Sequence, residues 1–303
     1  MRARPAGGET LREEMPARIF VSIVVCLLFG APAFASSLVA RDATDVKLEV
    51  NRKGQALITY RRGGTTERVL AWGAVDGQGL MRLDYSGGYR AFGRPVWKTF
   101  ADASRAYDGP PLPWLVVART APDGSHWALQ AWQRKLPNFG AEPQGPLQRA
   151  LELHVSHWRG ELPKLEVWTD WVFHGRYEHV FGRLTYKGQP VFGFGNTPAG
   201  NPTDPYGRNL YLDTFNSAYG PGWERENSFL THRPRGNFCY GFYPHGGVPG
   251  NGERYRITVL GPGAAPIVVW EGPSPGPYDP AKDVELNAIA AQVAGDDPRC
   301  QRP

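Results

Sequence analysis

The sequence lacks several features that would place it in a familiar class of protein. It has no low-complexity tract and no internal repeat. Beyond one apolar segment near the N-terminus it has no stretch of 18 or more apolar residues, so no membrane span is expected in the mature chain. The net charge is only +5, and the densest basic spots, Arg61-Arg62 and Arg233/Arg235, form no stripe. Nucleic-acid binders usually carry a stronger basic stripe, so no nucleic-acid partner is expected.

Cysteine is also scarce, with three among 303 residues. Cys26 lies inside the apolar N-terminal segment, which leaves Cys239 and Cys300 for the mature chain. Two cysteines in an exported chain most simply form one disulfide, and this one would tie the C-terminal tail to the body. The chain-entropy model gives such a long loop closure about 4 kcal/mol. Two buried, unpaired thiols are the alternative.

The usual metal-binding patterns are missing as well. Residues three apart on a strand point to opposite faces, so His154 and His157 are poorly placed to share a zinc ion, and no cysteine pair is near. There is no EF-hand spacing, but the polar loop at 195–209, and Asp213 shortly after it, carry oxygen ligands of the kind calcium uses. A possible calcium site would draw on Asn201, Asp204, Asn209 and Asp213. The same residue types are ordinary in turns, and no other cofactor is expected.

What is present begins with an export signal. Arg18 precedes the apolar run Ile19–Phe29, and the small-residue site Ala33-Phe34-Ala35 follows it. This order is typical of a secretory signal peptide, which predicts cleavage after Ala35 and a secreted or cell-envelope location. The mature chain, 36–303, has a net charge of about +4. Whether Met1 or Met15 is the true start stays open.

The mature chain has the patterns of a mainly β protein. Apolar residues alternate with polar ones over 46–50 and 56–60, and a turn containing Gly54 separates the two segments, which predicts a hairpin. A second hairpin is predicted at 114–119 and 126–132 around Pro122-Asp123-Gly124. Further strands are predicted at 65–72, 81–85, 180–186, 191–194, 210–215, 238–242, 254–260 and 267–270.

One helix is predicted near the C-terminus. Asp279 can cap it, Pro280 suits its first turn, and Leu286, Ile289, Ala290 and Val293 share one face, with Gly295 as a stop signal. About a dozen short strands with one terminal helix predict an antiparallel β-sandwich or jelly-roll-like fold. We expect 36–303 to form a single unit, with a possible subdomain boundary near 137–146.

A third hairpin is predicted between 151–158 and 165–173, and it supplies the candidate ligand-binding face. If Leu153 and Val155 pack in the core, the register places His154 opposite Asp170 and Trp158 opposite Glu166. The outward face then carries Trp158, Glu166, Trp168, Asp170 and His154. Trp rings stack on sugar C–H patches and carboxylates accept hydroxyl hydrogen bonds, so this face suits an envelope or extracellular glycan. The alternative is a sheet face packed under another layer.

The same face is poorly suited to catalysis. Glu166 and Asp170 lie about 13 Å apart along one strand, whereas glycosidase carboxylate pairs need about 5–9.5 Å. His154 and Ser156 start about 6.6 Å apart, which is long for a triad that includes Asp170. Exposed-looking chemistry recurs over 219–245, including Trp223, Tyr243 and His245, in loops of the kind that often carry function. The alternative there is a cross-packed loop held by Cys239.

Several segments look like known sequences: WGAVDG (72–77), PWLVVARTAPDGSHWALQAWQR (113–134), LEVWTDW (165–171), YGRNLYLDTFNSAYGPGWERENSFL (206–230) and FCYGFYPHG (238–246). Together they resemble a family of exported bacterial proteins of unknown function. The resemblance implies export and a single integrated unit, and it brings no catalytic residues. The leading interpretation is non-catalytic binding of a surface polysaccharide. The alternatives are a secreted hydrolase with its site in the 195–245 loops and a structural envelope protein.

Overall fold

The described part of the chain consists almost entirely of antiparallel strands, as the sequence predicts. The computed structural model describes residues 36–75, 81–84, 90–91, 94–133, 150–190, 210–226, 231–232, 237–242, 252–260 and 265–294. Contacts group residues 32–303 into one compact unit. The predicted signal peptide, the 137–146 boundary, the 191–194 strand and the 195–209 loop lie outside the described residues.

The strands are short and mostly follow one another through turns. Those of the first half are β1 (Ser37–Arg41), β2 (Thr44–Val50), β3 (Ala56–Arg62), β4 (Thr65–Gly73), β5 (Met81–Asp84), β6 (Arg90–Ala91), β7 (Arg94–Pro95), β8 (Arg105–Ala106), β9 (Leu115–Thr120) and β10 (His126–Gln133), with a 3₁₀ helix at Val96–Lys98. Those of the second half are β11 (Leu151–Trp158), β12 (Lys164–Val172), β13 (Tyr177–Tyr186), β14 (Gln189–Pro190), β15 (Leu210–Ser217), β16 (Gly220–Arg225), β17 (Thr231–His232), β18 (Asn237–Phe242), β19 (Arg254–Val259) and β20 (Val268–Pro273), before the helix α1 (Pro280–Ala294).

Most of these strands form four antiparallel sheets. Sheet 1 has the order β1-β11-β10-β9-β8, sheet 2 the order β2-β3-β4-β5, sheet 3 the order β16-β15-β19-β20, and sheet 4 the order β12-β13-β18-β17 with β14 beside β13. Strands β6 and β7 form a separate two-stranded ladder.

The four sheets make two β-sandwiches. In the first sandwich, sheets 1 and 2 bury one core between them, in which Trp127 and Val155 of sheet 1 meet Val50 and Ile58 of sheet 2. In the second, sheets 3 and 4 bury another core, with Ile257 of sheet 3 packed in the same cluster as Phe238 of sheet 4. Alternating apolar residues on each strand supply the two inner faces, which is why the period-two pattern is so clear in the sequence.

The sandwiches also pack against each other, through the outer faces of sheets 1 and 3. The rings of Trp132 on β10 and Tyr211 on β15 pack in a tilted arrangement with centroids 4.7 Å apart. Gln130 on β10 donates to the carbonyl oxygen of Ile267 and accepts from its N–H, at 3.1 and 2.9 Å. On the far side, α1 covers the outer face of sheet 4, where Ala290 contacts Phe181 and Cys239.

The predicted helix is confirmed in position, cap and buried face. The Asp279 carboxylate accepts from the N–H groups of Ala281 and Lys282 at 2.9 and 3.2 Å. Leu286 and Ala290 are buried, and Ile289 and Val293 pack against the sheet beneath. The two local hairpins are confirmed as well: β3 pairs with β2 and β10 pairs with β9, with Gly54 and Gly124 at positive φ in their turns.

The third predicted hairpin is wrong. β11 pairs with β1 and β10, whereas β12 pairs with β13 in another sheet. Both edges of β11 are therefore occupied, and the chain crosses from the first sandwich to the second between Trp158 and Lys164. The partners of His154 are Gln130 and Leu38, and the partner of Asp170 is His179. Leu151 and Phe173, at the two ends of the predicted hairpin, are 51% and 54% exposed.

Candidate functional site

The proposed glycan-contact face does not exist as a single surface. His154 and Trp158 lie on sheet 1, and Glu166, Trp168 and Asp170 lie on sheet 4. Trp158 is completely buried against Ala128, Leu112 and Ala118. Trp168 stacks on Phe181 with ring centroids 5.6 Å apart, beneath α1.

The two carboxylates of this predicted set are engaged separately. Asp170 is fully buried, and one of its oxygens lies 2.6 Å from Nδ1 of His179. Glu166 accepts from the Nε of Arg183 at 2.6 Å and lies 3.0 Å from Nζ of Lys164. These hydrogen bonds, the one from Arg183 first, hold the pKa of the Glu166 carboxyl below its usual range. Glu166 therefore stays ionised and paired with Arg183 and Lys164, which does not suit it to act as a catalytic acid.

His154 belongs to a buried serine–histidine–carboxylate chain that the sequence did not suggest. Its Nδ1 lies 3.2 Å from Oγ of Ser36, and its Nε2 lies 3.1 Å from Oε2 of Glu152. The other oxygen of Glu152 accepts from Arg41 at 3.0 Å. Ser36, His154 and Glu152 are each at most 2% exposed. These hydrogen bonds hold strand β1, and Ser36 before it, against strand β11.

The other predicted residues are divided between described and undescribed parts of the chain. Tyr243, His245, Asn201, Asp204, Asn209 and Cys300 lie outside the described residues. Asp213 is buried on β15 and accepts from Nε of Arg225 at 2.6 Å. A carboxylate already neutralised by a guanidinium is a poor calcium ligand. Within the described ranges, no group of three or more His, Cys, Asp or Glu is placed to hold a metal ion.

Trp223 lies at the edge of an aromatic and charged surface on sheet 3. Cross-strand pairing sets Asp213 between Arg225 and Arg256, and Arg256 beside Glu271, so charges alternate across four strands. The Arg256 guanidinium sits 4.0 Å from the centroid of the Trp223 ring. Glu271 accepts from both Arg254 and Arg256 at 2.7 Å. The arginine side chains of this surface therefore already contact carboxylates, and Arg256 also contacts the Trp223 ring.

A groove on the outer side of sheet 2 was missed by the sequence reasoning. One wall is the β2–β3 turn, where Oδ1 of Asn51 accepts from the N–H groups of Lys53 and Gln55 at 2.9 and 3.0 Å. This side-chain hydrogen bonding and the positive φ of Gly54 hold Arg52 and Lys53 exposed at the tip. Leu70 of β4 and Pro122 also line the groove.

The opposite wall is the segment 96–103, which crosses the outer face of sheet 2. Oδ1 of Asp102 accepts from the N–H groups of Val50 and Ser104, both at 3.0 Å, and the N–H of Ala103 donates to the Val50 carbonyl at 2.8 Å. Burial alone would raise the pKa of Asp102, but these hydrogen bonds outweigh it and the pKa is lowered. The groove encloses about 1140 Å³ and is lined by Asn51, Arg52, Lys53, Gln55, Leu70, Val96, Thr99, Phe100, Ala101, Asp102, Ala103 and Pro122.

This groove combines the features expected of a binding site for a hydroxyl-rich ligand. It offers the Nε2 of Gln55, whose Oε1 accepts from Nδ2 of Asn51 at 3.0 Å, two cationic side chains, and an apolar contribution from Phe100 and Leu70. The β2–β3 turn can be predicted from the sequence. The opposite wall of the groove comes from residues about 45 positions further along the chain, so no local pattern could have shown that the two segments lie together.

Comparison with known proteins adds no further assignment. No family model, curated protein or solved structure matches the chain. No helix among the described residues is long and apolar enough to cross a membrane.

Proposed function

We propose that this protein is an exported, non-catalytic module that binds a polysaccharide in the groove between the β2–β3 turn and the segment 96–103. The observation that carries the proposal is the groove itself, a volume of about 1140 Å³ that brings amide, cationic and aromatic side chains together. Sugars are bound by this mixture, because hydroxyl groups exchange hydrogen bonds with amides and charged groups while ring C–H faces contact apolar side chains.

The one carboxylate that lines the described groove favours binding over hydrolysis. Asp102 is the one carboxylate lining the described groove, and its Oδ1 already accepts three hydrogen bonds, from Val50 and from the N–H and Oγ of Ser104. Glycoside hydrolysis needs two carboxyl groups, one of them of raised pKa. The alternative hydrolase site in the 195–245 loops falls largely outside the described residues and stays a prediction.

The groove is tested with the mature chain, beginning at Ser36, in affinity electrophoresis through gels that contain neutral or acidic soluble polysaccharides. Phe100→Ala removes the aromatic ring from the groove, and we expect it to weaken retention by every polysaccharide that binds, by about 1–3 kcal/mol in binding free energy. Phe173→Ala is the control, because Phe173 is 54% exposed and lies on the other sandwich. Retention by no polysaccharide, or equal retention of both variants and the wild type, would remove the proposal.

Export and a Cys239–Cys300 disulfide are part of the same proposal. β1 begins at Ser37, so cleavage after Ala35 would leave every described strand intact. Cys239 is buried beneath α1, and the chain reaches Cys300 six residues after the helix ends at Ala294. Peptide mapping of exported protein without reductant should give an N-terminal peptide that begins at Ser36 and a linked pair of cysteine peptides. Full-length protein in the cytosol, or two thiols that both react in the native state, would count against it.

A further inference from the structure

We propose that the polysaccharide bound by the groove is anionic, with Arg52 and Lys53 as the residues that recognise its acidic groups. This inference rests on the proposed function and adds the chemical class of the ligand. Both side chains are exposed at the tip of the β2–β3 turn and line the groove. Within the described part of the chain neither has an ion-pair partner. Five other arginines each form an ion pair with a carboxylate: Arg41, Arg62, Arg183, Arg225 and Arg254.

The difference between this groove and the Trp223 surface decides which one can take an acidic ligand. On the Trp223 surface, Arg225 is paired with Asp213, and Arg254 and Arg256 are paired with Glu271. An anionic ligand there would have to displace a carboxylate that is already 2.6–2.7 Å from each guanidinium. At the groove an acidic group meets Arg52 and Lys53 without that competition. Arg52 also presents a planar fork that matches a carboxylate or sulfate in geometry.

The charge on the opposite wall does not cancel this attraction. Asp102 is the groove's one described acidic side chain, and Arg119 lies close enough to act on it electrostatically. Lys98, next to the lining residue Thr99, adds a further exposed cation. The Arg68 guanidinium lies 4.2 Å from the centroid of the Trp97 ring, immediately behind this wall. Among the residues that line the described groove, two cations, Arg52 and Lys53, therefore stand against one carboxylate, Asp102.

The arrangement favours an acidic sugar over a nucleic acid. Single-stranded nucleic acids are held by successive aromatic platforms along a basic channel. The described lining of this groove contains one aromatic ring, Phe100, and its two recognition cations are adjacent in sequence instead of spread along a track. The Nε2 of Gln55, whose Oε1 already accepts from Asn51, is placed to donate to a hydroxyl group beside an acidic one.

The test compares three polymers against the mature wild-type chain by titration calorimetry: alginate, which carries carboxylates, dextran sulfate, which carries sulfates, and neutral dextran, which has the same backbone as dextran sulfate. We expect at least one acidic polymer to bind at least about tenfold more tightly than dextran, which is about 1.4 kcal/mol. The two acidic arms separate carboxylate from sulfate recognition. Binding should weaken between 0.1 and 1 M salt, as the screening length falls from about 10 to about 3 Å.

Two double variants of equal charge change assign the effect to the groove. Arg52→Gln/Lys53→Gln should lower affinity for the acidic polymer by about tenfold or more. Arg61→Gln/Arg62→Gln removes the same charge from the far end of β3, about 20 Å away at ~3.3 Å per residue, and should change it little. Thermal unfolding checks that both variants fold, as expected for exposed residues near turns.

The outcomes separate this inference from the proposed function. If dextran or another neutral polysaccharide binds as tightly as the acidic ones and Arg52→Gln/Lys53→Gln has no effect, the groove binds glycan but the anionic class is wrong. If the two double variants weaken binding equally, the effect comes from overall charge and the assignment to Arg52 and Lys53 is wrong. Single-stranded DNA is titrated in the same way, and if it binds as tightly as the acidic polysaccharides, the ligand class is wrong. If no polysaccharide binds at all, both proposals fail.

Discussion

At the scale of single residues, strand β11 shows how polar side chains are buried with hydrogen-bond partners. From Glu152 to Trp158 every side chain is buried, although Glu152, His154, Ser156 and His157 are polar. Each of these four has a partner: Glu152 accepts from Arg41 and contacts His154, His157 contacts Ser125, and Ser156 donates to the Ala265 carbonyl. Buried polar groups are tolerated when they are hydrogen-bonded, and these partners come from distant parts of the chain.

Trp158 provides the residue-scale prediction. Because its ring is fully buried, Trp158→Ala should lower the free energy of unfolding by about 3–5 kcal/mol while leaving polysaccharide binding by folded protein unchanged. Urea unfolding measures the first effect and calorimetry the second. Trp158→Phe keeps most of the packing and allows the binding test should the alanine variant fail to fold. A stable Trp158→Ala protein with weakened binding would contradict the structure and restore the predicted glycan face.

Comparing these residues with the sequence shows what periodicity can and cannot reveal. Alternation correctly predicted that Leu153 and Val155 face the core of the first sandwich. It could not reveal that the opposite face of β11 is covered too, because the covering groups, Ser36 and Ala265, lie more than 100 residues away. A polar residue on the face of a strand opposite the core-facing residues is therefore predicted to be exposed unless its buried partner is known.

At the scale of secondary-structure elements, the sequence correctly predicted the hairpins and the helix that local turns and caps specify, and it wrongly predicted a strand pairing that other strands determine. The hairpins β2–β3 and β9–β10 are specified by their own turns, and α1 is specified by Asp279 and its apolar face. The prediction that β11 pairs with β12 used the same logic, but strand pairing also depends on which edges are already occupied. Strands β1 and β10 occupy both edges of β11, and the segment between Trp158 and Lys164 does not indicate this.

The contact between β12, β13 and α1 gives a pH-dependent prediction. Burial lowers the pKa of His179 to about 4, against the opposing effect of the Asp283 carboxylate on α1. An unfolded histidine titrates near 6.5, so between these values the unfolded chain binds a proton that the folded chain does not. The stability that depends on neutral His179 is therefore complete above pH ~6.5 and is lost as the pH falls toward ~4, at up to about 1.4 kcal/mol per pH unit.

Urea unfolding of the wild type and His179→Gln at pH 7 and pH 5 measures this contribution. Glutamine keeps an N–H for Asp170 but does not titrate, so the variant should lose less stability than the wild type between the two pH values. His126 and His157, whose pKa values are also lowered by burial, are present in both proteins and cancel in the difference. Equal pH dependence in the two proteins would show that His179 does not carry the effect.

At the scale of the whole molecule, the junction between the sandwiches makes one unit out of two cores. The rings of Trp132 and Tyr211 pack against each other, and the Arg225 guanidinium lies 4.5 Å from the centroid of the Tyr211 ring and 5.1 Å from that of Trp132. Gln130 completes the junction by hydrogen-bonding the backbone of Ile267 and the carbonyl of Pro113, much as a neighbouring strand would. The groove lies on the opposite side of the first sandwich, so the junction can be altered without touching it.

Gln130→Met should weaken this junction selectively. Methionine has a similar length but leaves the N–H and carbonyl of Ile267 and the carbonyl of Pro113 without their side-chain partner. Each such buried group costs about 1–3 kcal/mol, so we expect a loss of about 3 kcal/mol or more in the free energy of unfolding. Ser156→Ala removes one hydrogen bond to the Ala265 carbonyl and should cost about 1 kcal/mol. Hydrogen exchange at the Ile267 amide should speed up in Gln130→Met more than exchange in the two sandwich cores. Gln133→Met, at the exposed end of the same strand, is the control, and equal behaviour of the two glutamine variants would mean that the junction does not depend on Gln130.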